Sequence, residues 1–262
     1  MHAIADSFRR AVDSDLFYSF RRSPVTVGAA VTVLLFFLAA GLAPWIAPHN
    51  TYEVVTLNLS DAFLPPAWTE AGKARFPLGT DDQGRDVLST IMLGARVSLM
   101  VGFAAVIFAA TLGITLGLVS GYVGGVVDAA IMRVADIMLS FPAILIALLI
   151  DGVARGVLPR DVHTRISIYV LIASIGLSTW VQYARTVRAT TMVEKSKEYV
   201  MAARVIGLHP VLIMLRHVLP NVLGPVLVIA TIGLAIAVLT EAALSFLGVG
   251  VPPTQPSLGT LI

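Results

Sequence analysis

Cysteine is absent from the 262 residues, which excludes both a disulfide framework and a thiolate metal site. Charge is scarce: Asp, Glu, Lys and Arg together make up 13%, against about 25% in an ordinary soluble domain. A net charge of +2, with no dense basic stripe among aromatics, argues against a nucleic-acid partner. There is no G-x-x-x-x-G-K-[ST] phosphate loop, so any ATP hydrolysis belongs to another chain. No G-x-S-x-G elbow marks a serine hydrolase. The five histidines, His2, His49, His163, His209 and His217, form no H-E-x-x-H pair. No cofactor and no metal is expected in this chain.

What is abundant is apolar sequence. Hydrophobic residues make up 57% and the mean hydropathy is +0.87. Charge-free stretches cover residues 25–47, 97–127, 137–150, 166–184 and 218–240. Four of them approach or exceed the 20 or so residues a helix needs to cross the hydrocarbon core. The third is short. The first is too long for a signal-peptide core and has no small-residue cleavage site after it, so it reads as a retained anchor.

Orientation decides the short stretch. Arg9, Arg10, Arg21 and Arg22 precede the first span, and Arg185, Arg188, Lys195, Lys197, Arg204 and Arg216 crowd the segment before the last. Positive residues beside spans favour the cytoplasm. Both segments lie inside only if the short stretch also crosses, starting near Ile131 with Arg133 snorkelling to the headgroups. The expectation is an all-α polytopic bundle of about five spans. A cytoplasmic tail covers 1–24, a transmembrane domain 25–262, an extracytoplasmic segment 48–96 and a cytoplasmic loop 186–217. A second external loop spans about 151–165. In the tail, Ile4, Phe8, Val12 and Leu16 suit an amphipathic helix on the inner membrane surface, and equally a disordered charged tail. After Glu241, Pro252, Pro253 and Pro256 disfavour a regular helix, and no sixth apolar run follows.

Four groups of residues stand out. Residues 198–208, EYVMAARVIGL, predict a short helix with small residues Ala202 and Ala203, closed by Gly207 in the left-handed position. Such a helix between two spans fits a groove on a partner, or is an ordinary loop helix with a glycine cap. Gly113, Gly117 and Gly121 recur at four-residue spacing, which serves packing within the chain or between subunits. Glu241, at the end of the last span, is a functional candidate or a carboxylate at the outer interface, in water or hydrogen-bonded to the neighbouring external block, the second being favoured. Asp81, Asp82, Arg85 and Asp86, between Gly79 and Gly84, read first as a salt-bridged turn, second as an outer-gate or binding-protein contact, and only third as a metal site.

The segment from Glu198 through Ala202, Ala203 and Gly207 to Leu219-Pro220 resembles the EAA loop of binding-protein-dependent ABC importer permeases, in the form used by the dipeptide/oligopeptide/nickel branch. Three further blocks resemble that branch in the same order. They are LGTDDQGRD at 78–86 with GARVSL at 94–99; GYVGG at 121–125 with Asp128, Met132, Arg133, Asp136, Phe141 and Pro142; and EAALSFLGVG at 241–250. The resemblance implies a type I ABC importer permease in a bacterial plasma membrane, with its N-terminus cytoplasmic. It implies that Glu198, Tyr199, Ala202, Ala203, Arg204, Gly207, Leu208 and Pro220 form an ATPase-coupling loop. It also implies partners: a second homologous permease, one or two ATPases that carry ATP and Mg, and an extracytoplasmic solute-binding protein. Two departures stand out: Met201, where many relatives are polar or acidic, and the lack of the further span that usually follows the Leu-Gly-x-Gly block. Peptides are the expected cargo; nickel complexes, glutathione and haem are carried by the same machinery. A non-conducting assembly subunit is the alternative without a pathway. An intramembrane enzyme would need a polar constellation that these spans, with scattered Ser, Thr and Tyr, do not offer.

Overall fold

The structure, a computed structural model, describes residues 15–51, 58–252 and 255–261. The tail rhythm at Ile4, Phe8 and Val12 lies outside the described residues, as does the side chain of Leu16. Helix α1 (Asp15–Arg22) leads directly into α2 (Pro24–Ile46). Ser23 caps α2 by accepting from the Thr26 amide at 3.3 Å, and Pro24 occupies the first-turn position where its missing N–H costs nothing. Helix α2 buries only Ala40 and Ala43 and leaves Val31, Leu34, Leu35 and Leu38 exposed, the surface expected of a helix facing lipid.

The centre of the bundle is α3 (Val87–Val123), which packs along α6 (Arg160–Glu194) in the most extensive contact between any two helices. Small residues make this closeness possible. A Cβ on Gly117 would stand 2.5 Å from the Ala184 carbonyl oxygen, and one on Gly121 would stand 2.8 Å from the Arg188 carbonyl oxygen. Gly113 lies against Trp180 and Tyr183 in the same way. The glycine face therefore packs within the chain, backbone against backbone, where van der Waals contact holds helices together in lipid. Beyond the bilayer α6 continues unbroken through Arg185 and Arg188 to Glu194. The span expected over 166–184 and the basic segment after it are one rod of about 50 Å.

The third span departs from expectation. In place of one helix starting near Ile131 there are two, α4 (Gly125–Leu139) and α5 (Ala143–Val157), bent by 94° at the break between them. Phe141-Pro142 is the cause. Proline lacks the N–H a continuing helix needs, and its ring drives the preceding residue away from helical angles. Among the described residues four helices are long and apolar enough to cross a membrane, or five if the bent pair counts as one span. The external loop expected over 151–165 shrinks to a turn at Leu158 and Pro159, since α5 runs through Asp151 to Val157 and α6 begins at Arg160.

After α6 comes α7 (Glu198–Val205), then α8 (Pro210–Ile213), a π-helical turn at Met214–Val218, and α9 (Leu219–Phe246). Past α9 the chain folds back. Gly259 rests against the Ala242 carbonyl, Ser257 against Gly94, and the Leu258 amide lies 3.3 Å from Ser98 Oγ. This return segment overlies the part of α9 that carries Glu241. Of the two positions favoured for Glu241, hydration is overturned, because its side chain is fully buried; one oxygen accepts from Ser245 Oγ at 2.7 Å, within the block that follows the span, and the other is unpartnered.

Candidate functional site

Helix α7 presents two opposite faces. Val200 and Ala203 point inward and join the core formed by Trp180, Val187, Ile213 and Val222. Met201, Ala202, Val205 and Ile206 point outward, with Val205 87% exposed and Ile206 74% exposed. Of the two alanines singled out in the sequence, Ala203 thus seats the helix and Ala202 faces out. The helix ends in a Schellman closure. Leu208 N–H bonds to Ala203 O at 3.1 Å and Gly207 N–H to Arg204 O at 3.0 Å, with Gly207 at φ +79°. A Cβ on Gly207 would meet nothing within 4 Å, so the glycine is there for its backbone angle rather than for space. Leu208 tucks against the core, while Glu198 and Pro220 remain exposed.

The helix is pinned by polar contacts on both sides. Glu194, the last residue of α6, is nearly buried and accepts from Lys197 Nζ at 2.7 Å and from the Tyr199 hydroxyl. That bond raises the pKa of Lys197; burial first, then the same carboxylate, raises that of Tyr199, so the phenol keeps its proton. Lys195 Nζ donates to the Gly121 carbonyl at 2.6 Å, and the Arg204 guanidinium lies 5.0 Å from the Tyr122 ring centroid. Nearly two turns back along α6 from Glu194, Arg188 grips Asp128 of α4 with both Nε (2.5 Å) and Nη2 (2.6 Å), while Ser120 Oγ donates to the same carboxylate. Arg185 pairs with Asp136 at 2.5 Å. Helix α7 is therefore tied to α6 through Tyr199 and to α3 through Arg204, and α6 in turn is tied to α4.

At the opposite end of the bundle, Asp81 closes a tight turn. Its Oδ1 accepts from the amides of Gln83 (2.9 Å) and Arg85 (2.8 Å), and its Oδ2 from Arg85 Nε at 2.6 Å. Gly79 and Gly84 supply the positive φ values. Asp86 caps α3: Oδ2 accepts from the Ser89 amide at 3.0 Å and the Ser89 hydroxyl at 2.5 Å, with His49 Nδ1 at 3.5 Å. Arg85 and Asp86 are buried, and of the four charged residues in this cluster only Asp82 is exposed. The described residues hold no group of three or more His, Asp or Glu placed to bind a metal. Glu241 does not join this cluster. It belongs to the buried layer beneath the return segment.

Comparison with known proteins gives this geometry its context. Residues 113–262 match the family described as "Binding-protein-dependent transport system inner membrane component", and residues 14–66 match the "N-terminal TM domain of oligopeptide transport permease C". The chain belongs to the binding-protein-dependent permeases. It is 38% identical over 249 residues to the di/tripeptide transport system permease protein DppC of Pseudomonas aeruginosa (strain UCBPP-PA14), covering 95% of this chain and 78% of that one. It is 41% identical over 246 residues to the dipeptide transport system permease protein DppC of Escherichia coli K12, covering 94% and 77%. It is 32% identical over 250 residues to the oligopeptide transport system permease protein OppC of Bacillus subtilis, covering 94% and 75%.

Several residues that organise this permease escaped the sequence reading. Lys195 and the Asp128–Arg188 pair hold the loop through partners many residues away that only the fold brings together, while Glu194 binds Lys197 and Tyr199 close by in the chain. Val205 and Ile206 join Met201 in forming most of the outward face of α7, and the i, i+4 spacing of Val205 from Met201 and of Ile206 from Ala202 was the available signal. At the other end Asp151 is buried, paired with Arg155 at 2.6 Å and 3.4 Å from His163 Nε2, while Arg155 Nη2 donates to the Gly248 carbonyl at 2.9 Å. That clip joins α5, α6 and the segment after α9.

Proposed function

We propose that this permease forms part of the translocation pathway of an ATP-binding-cassette importer of di- or oligopeptides, and that α7 is the element engaging a cytoplasmic ATPase. The observation that carries the reading is the outward face at Met201, Ala202, Val205 and Ile206. A rigidly capped helix displays apolar side chains away from its own core, which suits insertion into a groove on another protein. Peptide cargo is supported by the names of the relatives, which are permeases of di/tripeptide, dipeptide and oligopeptide systems. The N-terminus and α7 lie in the cytoplasm, as the arginines beside α2 and the basic residues around α7 favour.

Closure of the ATPase pair around ATP and Mg would draw α7 inward. A second homologous permease completes the pathway, and an extracytoplasmic binding protein delivers cargo to the outer end, near Asp82. Because Val205 is almost fully exposed, Val205→Asp leaves the fold intact while placing a carboxylate where the groove should be apolar. Membranes carrying the variant should contain normal amounts of permease, retain little ATPase on detergent extraction, and import no peptide. ATPase retention and peptide uptake at the unsubstituted level would refute the assignment.

A further inference from the structure

One feature of α7 has a partner in the helix ladder of the following span. The turn at Met214–Val218 is π-helical, with the Leu219 amide bonded to the Met214 carbonyl five residues back. Two residues into α9 comes Pro220, which contributes no N–H, and Pro225 lies inside the helix beyond it. The ladder is therefore weak where the loop meets the span, and π turns of this kind are sites at which helices change register or direction.

A chain of hydrogen bonds reaches from α7 to this turn. The Tyr199 phenol has one hydrogen, which goes to the close Glu194 carboxylate at the end of α6 rather than to the His217 carbonyl 3.4 Å away. Its oxygen accepts from Asn221 Nδ2 at 2.9 Å. The second hydrogen of the same amide goes to the His217 carbonyl, inside the π turn, at 3.0 Å. Both amide hydrogens are used, and the His217 carbonyl can only accept, so the Asn221 amide nitrogen faces it and the Tyr199 oxygen. Glu194, Tyr199, Asn221 and the His217 carbonyl thus join α6, α7 and the start of α9 in one connected line. Leu208 and Val200 pack beneath it but carry no directional restraint.

We infer that the π turn at Met214–Val218 is the hinge through which movement of α7 is passed to α9, and that Tyr199 and Asn221 are the positioning residues that tie α7 to it. The inference rests on the coupling role proposed for α7. If ATPase closure shifts α7, the Tyr199–Asn221 link pulls on the weakest part of the ladder, and α9 is displaced as a rod. Without the link, α7 moves against apolar contacts that slide.

The test uses the assembled complex of this permease with its ATPase, second permease and binding protein in proteoliposomes. Asn221→Leu keeps the side-chain bulk and removes both hydrogen bonds, and Asn221 lies outside the outward face of α7. The ATPase should co-purify as before, while stimulation of ATP hydrolysis by loaded binding protein falls about tenfold, the loss expected when a hydrogen-bonded link of this strength is cut. Tyr199→Phe should lower the stimulation by a similar factor, and the double variant should be no worse than either single one, because the residues act in series. Asn221→Gln, which keeps an amide, should recover part of the stimulation. Unchanged stimulation in Asn221→Leu, or losses that simply add in the double variant, would overturn the inference. If the unsubstituted permease itself retains no ATPase, the coupling role of α7 falls, and this inference with it.

Discussion

Replacing Gly117 with alanine introduces one methyl group into the α3–α6 contact. The added Cβ would stand 2.5 Å from the Ala184 carbonyl oxygen and 2.7 Å from Val187 Cβ, whereas carbon contacts settle at about 3.5 Å or more. The neighbour on one side is backbone, so no rotamer change relieves it. The helices must part locally by about 1 Å, and a gap of that size forfeits a quarter to a half of each dispersion contact along the seam. Overpacking of this kind costs about 1–3 kcal/mol, offset by the 0.5–1 kcal/mol that a helix gains when glycine becomes alanine. The net expectation is a loss of up to about 2.5 kcal/mol, and a deficit of roughly 1–3 kcal/mol against a glycine-to-alanine change that meets no neighbour. Gly41→Ala in α2 is the matched control, because a Cβ there meets nothing within 4 Å and only the helix gain remains. Equilibrium unfolding of the purified permease in one detergent, comparing the two variants, measures the difference. If Gly117→Ala proves as stable as Gly41→Ala, the close-approach account of the α3–α6 pair is wrong.

Asp86→Ala should lower stability by about 1 kcal/mol in the same assay, through loss of the α3 cap, and Asp86→Asn should recover most of it because asparagine caps equally well. Membrane orientation has its own test. A reporter inserted after Leu158 should be active only outside the cell and one inserted after Gly207 only in the cytoplasm; the reverse pattern would invert the proposed topology.

Much of the architecture was legible because lipid imposes simple rules. Long charge-free runs gave the spans, and the four-residue recurrence of Gly113, Gly117 and Gly121 pointed to a close helix contact without saying with which helix. Gly207 was readable as a helix stop because a Schellman closure is local, depending on residues within one turn. What escaped was long-range or depended on burial. Charge alone ended the fourth span near Ala184, yet α6 runs to Glu194 because Arg185 and Arg188 find Asp136 and Asp128 on α4. Pro142 was visible in the sequence, but a hydropathy window counts it as one more uncharged residue and does not register the bend. Glu241 was open to water or to a hydrogen bond from the following block because it ends an apolar run, and only the return of residues 255–261 over α9 explains its burial.

The same distinction separates the two ends of the molecule. At Asp81 and Arg85 the partners are four residues apart, so a salt-bridged turn was a natural reading, and the bonds to the Gln83 and Arg85 amides are consistent with it. The Tyr199–Asn221 link spans a glycine stop, a proline start and a π turn, none of which a periodicity argument can carry across.

The most direct test of the central claim is purification of the tagged permease from membranes of its native host, with identification of whatever accompanies it. An ATP-binding-cassette ATPase and a second permease should be recovered with the unsubstituted chain, and the ATPase should be lost with Val205→Asp while the permease stays folded and membrane-inserted. A chain that purifies alone, or an ATPase that remains bound to Val205→Asp as tightly as before, would contradict the account.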